Sequence, residues 1–191
     1  MGAAPAAIRP RLASLSARAI AFAVDSVVLL SFLALAAFAA GLQLLIRSEF
    51  GDVDAPDSAY YTMLGISVAV VPLWGALNAA LHRWRGQTAG QYVAGIRVVR
   101  ADGSPPGWGS VIVRLLALHP LLFHPFLAPG WLLVAFIATA QTVSEAVLVV
   151  TGALVLLSLV APVVAAVMVL TDGGRRALHD RVAGTTVVAV G

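Results

Sequence analysis

Long apolar blocks alternate with short polar segments along most of this chain. The blocks cover residues 19–46, 60–81, 111–140 and 143–170. Each matches or exceeds the roughly 20 apolar residues that a helix needs to cross a bilayer. The pattern predicts an all-α membrane protein with about four transmembrane helices. Pro120, Pro125 and Pro129 interrupt the third block, so we expect a broken spanning helix there, with a re-entrant or surface-lying first half as the alternative.

The polar segment over residues 86–103 is predicted to fold rather than merely connect two blocks. Thr88 and Gln91 have the spacing of a capping box, which predicts a short helix that ends before Gly95. The β-branched residues that follow this glycine favour a strand over 96–100. The segment therefore predicts a helix, a break and a strand between two membrane spans.

A second strand-like run, 185–190, follows the last apolar block. With four crossings, both chain ends and the 86–103 segment lie on the same side of the membrane. An unpaired strand leaves its backbone groups without hydrogen bonds, so we expect the two runs to pair as a small two-strand sheet. Eleven of the twelve arginines, all but Arg47, then fall on that side, and the positive-inside rule makes it cytoplasmic. Three crossings would split the arginines between the two sides.

Composition supports the membrane assignment and excludes several function classes. The chain has 191 residues, of which 60% are hydrophobic and 11% charged, whereas a soluble domain has about a quarter charged residues. The net charge is +3 and every basic residue is arginine; because these arginines flank apolar blocks, they favour membrane topology over nucleic-acid binding. There is no cysteine and no common catalytic motif. We therefore expect no enzyme activity, no cofactor and no metal.

The first block and the residues before it define the predicted domain organisation. Residues 1–17 are rich in Ala, Pro and Ser, which predicts a mobile cytoplasmic tail. The block that follows is about twice as long as the hydrophobic region of a signal peptide and contains Asp25. We expect a retained transmembrane helix and a single transmembrane domain over residues 18–190.

Asp25 is the most conspicuous polar residue in the apolar blocks. It follows Arg18 by seven residues, two helical turns, so the two share a helix face, with Asp25 roughly 10 Å deeper. A carboxylate at depth costs on the order of 2.5–3.5 kcal/mol. Two interpretations remain open: an ion or proton site, or a structural carboxylate paired with Arg18 or Arg114. Arg114 is itself either a positive-inside anchor or the partner of Asp25 or Asp180.

The remaining polar candidates have plainer interpretations. His119 and His124 lie among prolines and do not share a helix face well, so we expect bend or interface residues rather than metal ligands. Asn78 is expected to form an interhelical hydrogen bond. His179 and Asp180 are adjacent, which gives no metal or catalytic geometry, and they are expected to form a surface or strand-end pair.

Together, three pieces of the chain resemble the RDD family of small bacterial membrane proteins, which is named for one arginine and two aspartates. The pieces are Arg18-x6-Asp25, the segment GQTAGQYVAGIRVVRADG followed by Arg114, and the tail LHDRVAGTTVV. In this resemblance Arg18 and Asp25 correspond to the first Arg and Asp, and Asp180 to the second Asp. The chain departs from the family at Gln91, where Lys is usual. The resemblance implies a multi-spanning protein of the bacterial inner (cell) membrane, and it suggests sodium/proton exchange, which has been proposed for some members.

Two functions follow as hypotheses. The first is ion or small-solute transport, as cation/proton exchange, with Asp25 as the titrating group. The second is a membrane scaffold or assembly role, in which the cytoplasmic basic patch binds a partner or anionic lipid headgroups. In both we expect a homo-oligomer or a partner membrane protein. The intramembrane charges are Arg18, Asp25 and Arg114. The cytoplasmic motif residues are Gly86, Gln87, Thr88, Gly90, Arg97, Asp102, Gly103, His179, Asp180, Gly184 and Thr185.

Overall fold

A computed structural model describes residues 11–51, 53–117, 124, 127–140 and 145–190 of the chain. Its elements in order are α1 (Leu15–Arg47), a 3-10 turn (Glu49–Gly51), α2 (Asp57–Arg85), α3 (Ala89–Val93), β1 (Ile96–Arg100), α4 (Trp108–Ala117), α5 (Leu127–Ala140), α6 (Glu145–Thr171), α7 (Leu178–Val182) and β2 (Thr185–Ala189). Among the described helices, α1, α2 and α6 are long and apolar enough to cross a membrane. The mostly helical membrane fold predicted from the sequence is confirmed.

The three long helices meet a small folded unit at one end. Strands β1 and β2 pair antiparallel, with Val98 opposite Val187, which confirms the predicted sheet. We call residues 11–14, 86–107 and 172–190 the sheet module. Helix α1 begins at this module, and α2 and α6 both end there. The module therefore gathers three segments that lie far apart in the sequence.

The third apolar block is divided in the structure, as its prolines predict. Helix α4 starts at the sheet module and contacts α2 and α7, whereas α5 packs along α6. The 27 residues of α6 span about 40 Å, and this helix ends at the module. The chain from α4 through α5 must therefore return to the far end, where α6 begins. Of residues 118–126 the structure describes His124 alone, so the predicted bend itself lies outside the described residues.

The sheet module is built from two copies of the same short pattern. Val-Ala-Gly-x-x-Val-Val occurs over residues 93–99 and again over 182–188. Each copy ends a five-residue helix, turns at a glycine and enters a strand. The glycines, Gly95 and Gly184, have φ values of 62° and 63°, a left-handed conformation that glycine adopts readily. Because Val98 and Val187 occupy equivalent positions and face each other, a pseudo-twofold axis passes through that pair.

The N-terminal segment differs from its prediction. Leu12 forms a bridge with Val188, and the Ala13 amide donates to the Val187 carbonyl at 3.0 Å. The Ser14 hydroxyl then accepts from the Ala17 amide and caps α1. Residues 11–17, which the sequence assigns to a mobile tail, instead cover the outer edge of β2 and begin α1. Residues 1–10 lie outside the described part of the chain.

The length of α1 changes the predicted depth of Asp25. Its 33 residues measure about 50 Å, well beyond the ~30 Å hydrocarbon core of a bilayer. Helix α3 packs against the first turns of α1, where Gly90 lies against Ala21 and Asp25. Asp25 therefore lies beside the sheet module. The predicted separation of roughly 10 Å from Arg18 along α1 is unchanged, but both residues lie at the module end of the helix.

Candidate functional site

Two arginines converge on Asp180, which is fully buried. Arg18 donates from Nη1 to Asp180 Oδ2 at 2.7 Å, and Arg114 donates from Nη1 to Asp180 Oδ1. The Ala177 amide donates to the same carboxylate at 3.1 Å, which caps the start of α7. Arg114 also donates to the Thr185 hydroxyl at 2.9 Å. This cluster joins α1, α4, α7 and β2, and it makes Arg114 the partner of Asp180, one of the predicted alternatives.

The charges of the cluster control its titration. Burial by itself would raise the pKa of the Asp180 carboxyl, but Arg114, with His179 and Arg18, outweighs burial and lowers that pKa to about 2. Burial and the nearby Arg114 charge lower the pKa of the His179 imidazole to about 4, against the opposing effect of Asp180. The cluster therefore holds an ionised carboxylate and a neutral imidazole at neutral pH. His179 Nε2 does lie 3.5 Å from Asp180 Oδ1, but Asp180 is fully buried, so the predicted surface location of this pair is wrong.

These shifts predict how stability depends on pH. Between pH 6.5 and about 4, His179 binds a proton in the unfolded chain but stays neutral in the folded one. The free energy of unfolding therefore decreases as the pH is lowered through that window. Asp180 stabilises the fold above its ordinary pKa of 3.8, and this stabilisation is lost as pH falls toward 2. We expect His179→Gln to flatten the loss between pH 6.5 and 4 in denaturation of purified protein. Identical pH profiles for wild type and variant would contradict the assignment.

Asp25 has a different set of partners from those predicted. Its Oδ2 accepts from the Thr88 hydroxyl at 2.6 Å, and its Oδ1 accepts from the Gly90 amide at 2.8 Å. The Thr88 hydroxyl also accepts from the Gln91 amide, and the Gln91 side chain accepts from the Thr88 amide, so the predicted capping box is confirmed. No Arg–Asp25 ion pair occurs among the described residues. Asp25 thus holds the start of α3 against α1.

Gly90 is what permits this close contact. A Cβ atom at position 90 would overlap the Ala21 carbonyl oxygen and lie 2.8 Å from Asp25 Cγ. A Cβ at Gly86, which ends α2 with φ of 67°, would lie 2.7 Å from the Val98 carbonyl oxygen. The Gly86 carbonyl in turn accepts from the Val98 amide. The glycines of the motif therefore have packing roles that spacing alone does not reveal.

The other motif residues support the turns of the module. Gln87 donates from Nε2 to the Ile96 carbonyl at 2.8 Å. Asp102 accepts from the amide and hydroxyl of Ser104, which closes the predicted turn at Gly103, where φ is 84°. Arg97 lies exposed on β1. These residues shape the module and lie away from the buried charges.

The predicted interface residues lie around the same helices. His124 packs against the Phe22 ring, with 5.3 Å between ring centroids, and its Nε2 lies 3.1 Å from the Ser26 hydroxyl. The Leu127 amide donates to its Nδ1. This contact with α1 is consistent with the predicted interface role, while His119 lies outside the described residues. The Asn78 side chain donates to the Trp74 carbonyl on its own helix. The predicted interhelical hydrogen bond of Asn78 is therefore wrong for the described residues.

A cavity of about 410 Å³ lies between α1, α2, α4, α6 and the sheet module. Arg18, Asp25, Arg114, His82 and His179 line it at the module end. Most of the remaining lining is apolar. It comes from Phe22, Leu29, Leu115, Pro162, Ala165, Ala166 and Val169, among others. The volume lies within the range of about 300–1,000 Å³ that ligand pockets have.

The sequence contained a sign of the Asp180 cluster that the motif search missed. Gln91 and Asp180 each stand two residues before a Val-Ala-Gly-x-x-Val-Val copy, and three residues after Thr88 and Ala177 respectively. The Gln91 side chain accepts a hydrogen bond from the Thr88 amide, and the Asp180 side chain accepts one from the Ala177 amide, in each case at the start of a short helix. Aligning the two copies would have placed Asp180 at a helix start inside a packed module rather than on the surface.

Comparison with curated proteins and with solved structures finds no match. The family model described as RDD family matches residues 12–184. That range includes both aspartates and both arginines of the cluster, and it ends just before β2. The chain belongs to the RDD family.

Proposed function

We propose that this protein carries an ion or a small solute across the membrane and that Asp25 takes up and releases a proton during the cycle. One observation carries the proposal: Asp25 lines a cavity bordered by four helices and the sheet module. The Asp25 carboxylate thus has space for a solute beside it, and its hydrogen bonds connect it to α3. Cation/proton exchange is the form that the family resemblance suggests.

The contacts of Asp25 supply a coupling mechanism. As a carboxylate it accepts from Thr88 and Gly90 and holds α3 against α1. A proton on this carboxyl weakens both hydrogen bonds, since ionised acceptors form the stronger bonds. Protonation therefore favours release of α3, and α3 leads directly into β1 and the rest of the sheet module. Protonation or deprotonation of Asp25 thus shifts the position of α3, which borders the cavity.

The distribution of arginine supports the orientation. Of the eleven described arginines, all but Arg47 lie in the sheet module or in the helical segments next to it. The positive-inside rule supports a cytoplasmic location for this end, and we propose that the module and both termini lie on that side. Four crossings, with α4 and α5 sharing one of them, satisfy this orientation. The location we propose is the bacterial inner membrane.

A second candidate function has its own supporting observation. The short helices of the module expose apolar side chains beside arginines: Tyr92 and Val93 on α3 are 70% and 65% exposed, and Leu178 and Val182 on α7 are 56% and 66% exposed. Such a surface suits an interface with anionic lipid headgroups, at about 1 kcal/mol per arginine near the surface. In this alternative the protein is a scaffold, and the buried charges are purely structural.

Proton flux distinguishes the two candidates. We expect the imposed ΔpH of inverted membrane vesicles with wild-type protein to fall when Na+, K+ or Li+ is added, since exchange removes internal protons. It should rise when octanesulfonate is added, since an anion that enters with a proton brings protons in. At least one of the four probes, added separately, should be active. Asp25→Asn should abolish the response at a matched membrane level, because the amide cannot carry the proton. Thr88→Val removes the hydrogen bonds from the Thr88 hydroxyl to Asp25 and from the Gln91 amide but keeps the carboxylate and its bond from Gly90, so it should retain most of the response.

Two outcomes would overturn the transport proposal. The first is a wild-type protein that leaves ΔpH unchanged with every probe. The second is equal loss in Asp25→Asn and Thr88→Val, since this would trace the loss to displacement of α3. Either result favours the scaffold function, for which binding to anionic vesicles is then the appropriate assay.

A further inference from the structure

We infer that the cavity binds a single-chain amphiphile with an anionic headgroup, with the headgroup toward Arg18 and Arg114 and the chain toward the middle of the membrane. The inference names a substrate class for the proposed transport and rests on that function for its role. Binding is nevertheless measured without flux, so the two ideas can fail separately.

The charges at the module end favour an anion. Arg18 and Arg114 line the cavity, and they share a single carboxylate, Asp180, which does not line it. Two guanidinium groups against one carboxylate leave one positive charge in the cluster. The Nε atoms of both arginines are buried and, in the described part of the chain, have no hydrogen-bond partner. The cluster therefore has donor capacity and positive charge in excess of what Asp180 satisfies.

The negative charge of Asp25 does not neutralise the remaining guanidinium charge, as Asp180 neutralises the first. Both of its oxygens already accept hydrogen bonds from α3, so its charge is directed to the start of that helix. When Asp25 is protonated in the proposed cycle, the cavity gains positive character. An anionic headgroup and a proton on Asp25 thus favour each other, which is the coupling of a carrier that moves both in the same direction rather than in exchange.

The rest of the cavity fits a hydrocarbon chain. From Arg18 to Leu29 the lining follows α1 for eleven residues, which is about 16 Å. Across from it α6 presents Pro162, Ala165 and Ala166, small side chains that leave the space open. Among the described residues, α1 and α6 make few contacts, so we assign the entry of the chain to the gap between them. A polar end at the sheet module and an apolar end at depth match the orientation of a lipid in that leaflet.

Trp74 on α2 lines the cavity and provides the measurement. The protein in phosphatidylcholine nanodiscs is titrated with chain-brominated dodecyl phosphate, dodecanoate and dodecyltrimethylammonium. We expect saturable quenching by the two anions, lost in Trp74→Phe, and about tenfold weaker binding in Ala166→Phe, which fills the cavity without touching a charge. Val163→Phe, which introduces the same side chain at an exposed position of α6, should bind as wild type does. The tighter of the two anions identifies a phosphate or a carboxylate headgroup.

Several results would overturn the inference. Quenching that never saturates, or that is equal in Ala166→Phe and Val163→Phe, means that the probes only partition into the bilayer. Equal or tighter binding of dodecyltrimethylammonium means that the cavity does not select an anion. Saturable anion binding without any flux retains the inference and removes the transport proposal, while alkali-cation flux without anion binding does the reverse.

Discussion

Asp180→Asn is expected to destabilise the protein by about 3–5 kcal/mol, the cost of removing one partner from a buried ion pair. The variant leaves Arg18 and Arg114 facing a neutral side chain, and Arg114 is 4% exposed, so water cannot replace the lost charge. This is a large share of the roughly 5–15 kcal/mol that holds a typical domain folded. The measurement is denaturant unfolding of purified protein in mild detergent.

Asp172→Asn is the matched control for this change. Asp172 also contacts two arginines, Arg176 and Arg181, but these side chains are 45% and 46% exposed. Solvent screens that pair, so we expect a much smaller loss. Equal effects at the two aspartates would contradict the role assigned to the buried cluster.

A triple replacement separates the structural role of the cluster from its charge. Arg18→Met, Arg114→Met and Asp180→Leu together remove the three ionised side chains of the cluster, so none of these charges remains unpaired. Apolar replacement of a whole buried ionic group is often neutral or stabilising, and we expect the triple variant to recover most of the stability that Asp180→Asn loses. If the inferred ligand site is correct, the same variant should bind dodecyl phosphate poorly although it is folded.

Gly90→Ala is the second change with a large expected effect. The added Cβ overlaps the Ala21 carbonyl oxygen and approaches Asp25 Cγ, and neither neighbour is a flexible side-chain end. Helix α3 must move away from α1, which breaks both hydrogen bonds to Asp25. We expect a loss at the upper end of the roughly 1–3 kcal/mol range for overpacking, together with loss of proton-coupled flux.

Gly109→Ala provides the comparison. This glycine lies in α4, and a Cβ there meets nothing within 4 Å, so we expect no loss and a slight gain in helix propensity. Both variants are measured by unfolding and by hydrogen exchange at the backbone amide of position 90. Protection of that amide in Gly90→Ala at the wild-type level would show that α3 has not moved.

Local patterns predicted much of the sheet module. Thr88 and Gln91 satisfy each other within four residues, and the β-branched run over 96–100 needs a partner, which the 185–190 run supplies. Such features depend on neighbours in the sequence and on the general need to pair backbone groups. The apolar blocks predicted the long helices because the length of an apolar run is also a local property of the sequence. Helix α1 nevertheless begins four residues before its block does.

The partners of the buried charges could not be predicted in this way. Arg18 and Asp25 share a helix face, but seven residues separate them by roughly 10 Å along the axis, too far for a direct ion pair. Each therefore bonds to a residue outside α1: Arg18 to Asp180, and Asp25 to Thr88. Those contacts join residues 162 and 63 positions apart, and they follow from how α3 and α7 pack on α1. Leu12 was missed because a short Ala- and Ser-rich segment carries no strand pattern, and its pairing depends on the free edge of β2.

Proton flux in liposomes that contain only the purified protein tests the central claim most directly. Wild type, Asp25→Asn and Asp25→Glu are reconstituted at equal density, and internal pH is followed after addition of octanesulfonate or of each alkali cation. We expect wild type to move protons with at least one probe, Asp25→Glu to retain part of that flux because it keeps a titratable carboxyl, and Asp25→Asn to show none. Proton movement that is equal in all three proteins, or absent from wild type, would contradict Asp25 as the coupling group.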